Sequence, residues 1–173
     1  VQQARETLAE RLLDIYRRAS APEWPWFEEV VSYDNAQLSH ALMLSGRGMG
    51  HRPEMMEVGL KSLDWLVRLQ RPQDGHFVPV GSNGFYRRGK TRARFDQQPL
   101  EAYATVSACL EAHRLTGEIR WRKEAQVAFD WFLGRNDLRQ PLYDADTGGC
   151  RDGLHADRIN QNRGGESTLA FLL

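Results

Sequence analysis

Apolar side chains recur every three or four residues along much of the chain, the spacing that gathers them on one face of an α-helix. Ala4, Leu8, Leu12 and Ile15 mark a first helix over about 3–18. A loop rich in Pro and Trp follows, Ala21-Pro22-Glu23-Trp24-Pro25-Trp26. A second helix starts near Asp34-Asn35 and stops in the glycines from Gly46 to Gly50. The third starts after Pro53, carries the stripe Met56, Leu60, Leu63 and Leu66, and ends before Pro72, because proline cannot continue a helix. The fourth covers about 99–115, with Pro99 in the first turn, where its missing N–H costs little, and Gly117 as its stop. The fifth covers about 121–133 and stops at Gly134; the sixth begins around Glu166-Ser167. Short β-like pieces are expected at 76–80 and 85–87, with turns at Asp74-Gly75 and Asn83-Gly84.

The helical pattern repeats. Asp64-Trp65-Leu66 returns as Asp130-Trp131-Phe132, 66 residues later, and Tyr33-Asp34-Asn35 returns as Phe95-Asp96-Gln97, 62 residues later. Asn162 and Glu166 fall near a third such position. The repeating unit is one helical hairpin of about 60 to 65 residues, longer than common solenoid units. Short turns join the second helix to the third and the fourth to the fifth, while the other connections are long. Antiparallel packing would then bring all the long loops to one rim. The expected fold is all-α: repeated antiparallel helical hairpins forming part of an (α/α) toroid, with long loops on one rim. Long loops in compact domains are usually functional, so that rim is where chemistry is expected.

Composition narrows the function. The 173 residues suffice for one domain, 1–173, with its own core. Lys plus Arg and Asp plus Glu are 23 each, so net charge is zero, which argues against a nucleic-acid partner. No apolar run approaches the roughly 20 residues of a membrane span, and no signal peptide is visible. Cys109 and Cys150 do not make a disulfide framework, and a reducing cytoplasm is the simpler expectation. Val1 begins inside a helical pattern and Leu173 closes an apolar run, so the chain reads as a fragment of a longer protein. A half ring would expose apolar flanks, which suits a homodimer.

The loops hold a palette suited to sugars, whose C–H faces stack on aromatic rings and whose hydroxyls need carboxylates, amides and Arg. The first loop offers Trp24, Trp26, Phe27, Glu28 and Tyr33; Trp24 and Trp26 either meet ligand or staple the loop to the helices. The second offers Asp74, His76, Asn83, Tyr86, Arg94, Asp96 and Gln97. The third offers Tyr143-Asp144, Asp152, His155 and Asn160-Gln161-Asn162. Asp34, Asp96 and Glu166 stand at comparable points, each at the start of a hairpin's second helix, and are the candidate catalytic carboxyls. The bland alternatives are helix caps: Asp34 with Gln37 has capping-box spacing, and Asp96 also suits a cap. Asn35 joins the candidate binding set. His76 and His155 are the plausible catalytic imidazoles, whereas His40, His51 and His113 read as structural. Cys150, Asp152 and His155 match no standard zinc spacing, so neither metal nor cofactor is expected. No GxGxxG, P-loop or GxSxG is present; Gly46-Arg47-Gly48-Met49-Gly50 follows a helix and reads as its stop.

Several of these motifs together resemble a known group: Trp24-Pro25-Trp26-Phe27-Glu28, Ser32-Tyr33-Asp34-Asn35, Gly81-Ser82-Asn83-Gly84, Arg94-Phe95-Asp96-Gln97-Gln98-Pro99, Asp130-Trp131-Phe132-Leu133-Gly134-Arg135-Asn136 and the run from Thr147 to Leu154. Nearly the whole chain is similar to the helical C-terminal region of bacterial group 1, GT-B type glycosyltransferases. That region is in turn similar in design to six-hairpin toroids, including glycoside hydrolases and N-acylglucosamine 2-epimerases. The resemblance implies an upstream transferase domain holding the nucleotide-sugar site, a saccharide or glycan ligand here, and about three hairpins, half of a ring. It carries over no catalytic residues. The expected function is a carbohydrate-active helical domain of a glycosyltransferase polypeptide. The alternatives are an independent hydrolase or epimerase of the toroid type and a non-catalytic interaction domain.

Overall fold

The structure, a computed structural model, describes residues 2–72 and 75–173. Six helices carry the described chain: α1 (Gln2–Ala19), α2 (Ala36–Gly48), α3 (Pro53–Leu69), α4 (Pro99–Thr116), α5 (Ile119–Asp130) and α6 (Gly165–Leu172). Two small antiparallel ribbons interrupt them. In the first, β1 (Val30–Val31) pairs with β2 (Tyr86–Arg87); in the second, β3 (Gly153–Leu154) pairs with β4 (Ile159–Asn160). Asp74 and Val1 lie outside the described residues, and with them the expected turn at Asp74-Gly75 and the reading of the chain's first residue.

Helix α2 packs against α1, α3 and α4, and α4 packs against α5 and α6. Two clusters of buried side chains fill the spaces between them. The first joins Leu13, Trp26, Phe27, Leu42, Met43, Leu63, Leu66 and Trp121; the second joins Phe77, Trp131, Phe132, Leu142, Leu154 and Ile159. Helix α4 is the wall between them: Ala104, Ala108 and Ala112 face the first cluster and Ala102 the second. Alanines leave a thin helix that neighbours on several sides can approach. Its end follows the sequence closely, since Gly117 takes φ 73° and its N–H reaches His113 O at 2.8 Å, the left-handed stop that glycine allows without strain.

The helix pair α2–α3 is closer still. A Cβ at Gly59 would stand 2.6 Å from Met43 Cγ and 2.9 Å from Ser39 O. The hydroxyls of Ser39 and Ser62 meet between the helices at 2.8 Å. Small residues here serve approach, not flexibility.

Three expectations are corrected. The second helix begins at Ala36, not at Asp34, because Asp34 itself takes φ 51°. The fifth ends at Asp130, not Leu133: residues 131–134 donate to carbonyls three residues back, tightening the chain into successive turns. Residues 76–80 form no strand. Val78 N–H donates to Gln70 O and Val80 N–H to Gln70 Oε1, so the buried glutamine does the work of a partner strand and the segment's apolar side chains enter the core. The expected piece at 85–87 forms as β2.

Gly59→Ala should lower unfolding free energy by about 1–3 kcal/mol, the usual cost of overpacking. Urea denaturation checks this; an unchanged midpoint would show that α2 and α3 separate freely.

Candidate functional site

The long connections meet. The β1–β2 ribbon joins the first to the second, and Gln97 and Leu154 exchange both backbone hydrogen bonds, at 2.9 and 3.0 Å, joining the second to the third. Tyr33, at the end of the first, donates its hydroxyl to Glu166 Oε1 at 2.8 Å, in the first turn of α6. Three groups of side chains result.

The first group surrounds the start of α2. Glu101, in the first turn of α4, is fully buried and accepts from Asp34 N–H, from Asn35 N–H at 3.3 Å and from Asn35 Nδ2 at 2.9 Å. It thus supplies the carboxyl cap that α2 does not make for itself, since α2 has no side-chain cap of its own. The expected capping box is not formed: Gln37 Oε1 turns to His40 Nδ1, and Asp34 contributes only its carbonyl, which accepts from Gln37 N–H. Asp34 Oδ1 is buried without a hydrogen-bond partner among the described residues. Burial, then the charge of Glu166, raise the Asp34 pKa above the usual carboxylate range. Burial pushes Glu101 up to about 7 against the pull of its three donors, with Asp34 adding to the rise. Tyr33 is pushed up to about 12, by burial first and then by its bond to Glu166, so its phenol stays a donor. Tyr33 as a whole remains 46% exposed.

The second group centres on Asp137, whose side chain is only 6% exposed. Arg94 grips it with Nε and Nη2 at 3.0 and 2.7 Å, His76 Nε2 lies at 2.8 Å, and Gln97 Nε2 donates at 2.8 Å. Burial alone would raise the Asp137 pKa, but the bonds from Arg94, His76 and Gln97 outweigh it and hold the carboxyl below its ordinary value. Gln97 Oε1 in turn accepts from Trp131 Nε1 at 2.8 Å. Asn35 and Gln97, corresponding residues of the repeated tripeptides, are therefore both buried and both bound to a carboxyl from elsewhere.

The third group is the pair Asp96 and His155, joined through Oδ1 and Nδ1. Asp96 caps no helix; Gln98 stands at that position in α4 and makes no side-chain cap. Asp152 Oδ1 accepts from Gly164 N–H at 2.6 Å, steadying the entry to α6.

The structure does not gather the predicted set into one place. Asp34 and Glu166 come together with Tyr33, while Asp96 faces His155 and not the other two carboxyls. Trp24 and Trp26 are corrected from ligand platforms to packing. Trp26 is 0% exposed, and Trp24 lies against Trp65 and Tyr86 at ring-centroid distances of 5.0 and 5.1 Å. Both indoles fold inward and join Tyr16 of α1, Trp65 of α3, Tyr86 of β2 and Phe27 in one aromatic cluster. Asn35 and Gln97 are corrected likewise, since their amides are buried and spent on neighbours. Tyr86 is half-buried on Trp24, and His76 and Arg94 are committed to Asp137. Glu28 and Asn83 are exposed, Asn83 at a turn completed by Gly84 with φ 122°.

Glu101 and Asp137 were missed. A glutamate in a helix's first turn is unremarkable in sequence, and Asp137 follows a glycine stop like any turn aspartate. Among the described residues, no helix is long and apolar enough to cross a membrane, and no three His, Cys, Asp or Glu are grouped to hold a metal ion. No protein-family profile matches the chain, and no curated protein matches it.

Glu101 carries a pH signature. Its folded-state pKa lies above its ordinary 4.5, so the folded chain binds this proton more tightly than the unfolded one does. Its contribution is complete below about pH 4.5 and is lost as pH rises through about 7, on the order of 3 kcal/mol. Urea midpoints of the wild type should fall between pH 5 and pH 8 relative to Glu101→Gln; parallel profiles would refute this.

Proposed function

We propose that the chain forms part of an (α/α) toroid, a carbohydrate-active helical domain of a glycosyltransferase polypeptide, and that it binds glycan where Tyr33, Asp34 and Glu166 meet. One observation carries the proposal: an exposed aromatic ring stands beside a carboxyl whose buried oxygen has no partner among the described residues. A buried acceptor left unpaired costs roughly 1–3 kcal/mol, and a sugar hydroxyl would repay it once binding uncovers Oδ1, which is sealed from solvent in the free chain. The adjoining ring supplies the face on which sugar C–H groups stack. Asp34 also holds a left-handed φ of 51°, and strain combined with an unsatisfied group is characteristic of functional positions. The motif resemblance supports the transferase setting, with the nucleotide-sugar site in an upstream domain and the reaction in the cytoplasm, where the two free thiols stay reduced.

A second reading, an independent glycoside hydrolase, is favoured by one specific feature. Asp34, beside Glu166, and Glu101, beside Asp34, both retain protons to higher pH than ordinary carboxyls. A raised carboxyl beside a second one is what acid-assisted glycosidic cleavage requires.

A glycan array combined with a release assay on the retained glycans separates these readings. Retention without release supports the domain as a binder, and release supports the hydrolase. Tyr33→Ala and Asp34→Asn should each weaken retention about tenfold, or ~1.4 kcal/mol, with little change in melting temperature for Tyr33→Ala. Silence on the array with no release would defeat both.

A further inference from the structure

We propose that His155 is a general base on this rim, positioned by Asp96, with Nε2 as the atom that accepts a proton from a ligand hydroxyl. The inference rests on the saccharide reading for its ligand, but its geometry stands apart from Tyr33 and Asp34.

The pairing of Asp96 with His155 follows from backbone register. Gln97 and Leu154 exchange both N–H···O bonds, so they are a hydrogen-bonded antiparallel pair. The adjoining positions, 96 and 155, are then directly opposite as a non-hydrogen-bonded pair, where side chains lie closest. Side chains alternate across such a pair. Gln97 and Leu154 enter the core, both 0% exposed, so Asp96 and His155 turn to the outer face. Gly153 permits the approach, since a Cβ there would stand 2.9 Å from Gln97 O. Both partners are held further: Ser82 N–H and Oγ–H donate to Asp96 O at 3.0 and 3.1 Å, and His155 N–H donates to Arg158 O at 2.9 Å.

The bond to Asp96 Oδ1 uses His155 Nδ1. An aspartate accepting from Nδ1–H fixes the neutral tautomer with its lone pair on Nε2 and stabilises the imidazolium that forms when Nε2 takes a proton. Among the described residues no group hydrogen-bonds Nε2, and the side chain is 29% exposed. In the step, the ligand's O–H bond breaks, the proton moves to Nε2, and the oxygen keeps the electron pair. His155 is the residue that touches ligand, and Asp96 acts through it.

Long-range proton–nitrogen NMR spectra at a pH where the ring is neutral should show His155 in the Nδ1–H form, and Asp96→Ala should lose that preference. Diethyl pyrocarbonate supplies a second readout. Nε2 attacks its carbonyl, the anhydride C–O bond breaks and ethyl carbonate leaves; with Nδ1 bound to Asp96, the wild-type adduct found by mass mapping reports Nε2, and its NMR spectrum identifies the nitrogen modified in each protein. Wild-type His155 should react several-fold faster than His155 in Asp96→Ala, with exposed His51 unchanged between the two. A dominant Nε2–H form in the wild type, or equal rates in the two proteins, would overturn the proposal. Glucose, mannose and N-acetylglucosamine, each added during modification, should slow the reaction at His155 only. Intact tautomer and rate differences without protection by any of the three would overturn the hydroxyl ligand at this dyad. Loss of retention in Tyr33→Ala with protection preserved would instead place saccharide at the dyad alone.

Discussion

Helices α2, α4 and α6 begin at junctions with the long loops, and none has a side-chain cap of its own. A helix start leaves backbone N–H groups that must find partners when water is excluded. Here neighbouring segments answer the need with carboxyls. Glu101 of α4 holds the backbone just before α2, and Asp152 holds Gly164 N–H just before α6. Before α4, Asp137 fixes Gln97, whose backbone is clamped to Leu154. Each helix start therefore depends on a residue distant in sequence.

The same requirement separates the acidic residues by role. Asp137 and Asp152 are consumed by donors, and Asp137 is lowered in pKa by them. Glu101 is consumed too, but its burial is deep enough to raise it to about 7. Among the described residues Asp34 gains no such partner for its buried oxygen, and Glu166 accepts at the surface from Tyr33. Asp34 and Glu166 therefore keep hydrogen-bonding capacity beside the exposed Tyr33. Once neighbouring carboxyls serve the backbone, Asp34 is left with a buried oxygen, and burial first and the charge of Glu166 second raise its pKa.

The dyad of Asp96 and His155 has a different origin. It depends on which residues of two loops are opposite one another, and Gly153 and the Gln97–Leu154 pair determine that. The core beneath it, Leu154, Trp131 and Phe132, holds the two loops in one register, because a slip of one residue would exchange the buried and outward side chains.

Helix positions were legible in the sequence because they depend on local rules. Apolar spacing marked α1 and α3, although Leu8 and Ile15 of the α1 stripe are exposed and Ala9, Leu13 and Tyr16 face the core instead; Pro53 and Pro99 marked two starts, and Gly117 marked a stop. The repeated tripeptides also located the two loop ends where Asn35 and Gln97 are buried. The roles of those residues were not legible. Trp24 and Trp26 carry the same rings whether they meet a sugar or fill a core, and only the packing of α1, α3 and the β1–β2 ribbon buried them. Asp34 with Gln37 satisfied a local capping pattern, yet Glu101, 67 residues away, displaced it, because a buried carboxyl aimed at the helix start competes directly for the same amides. Local periodicity is a property of the chain; the partner of a buried polar group is a property of the whole fold, and that is where the candidate site was decided.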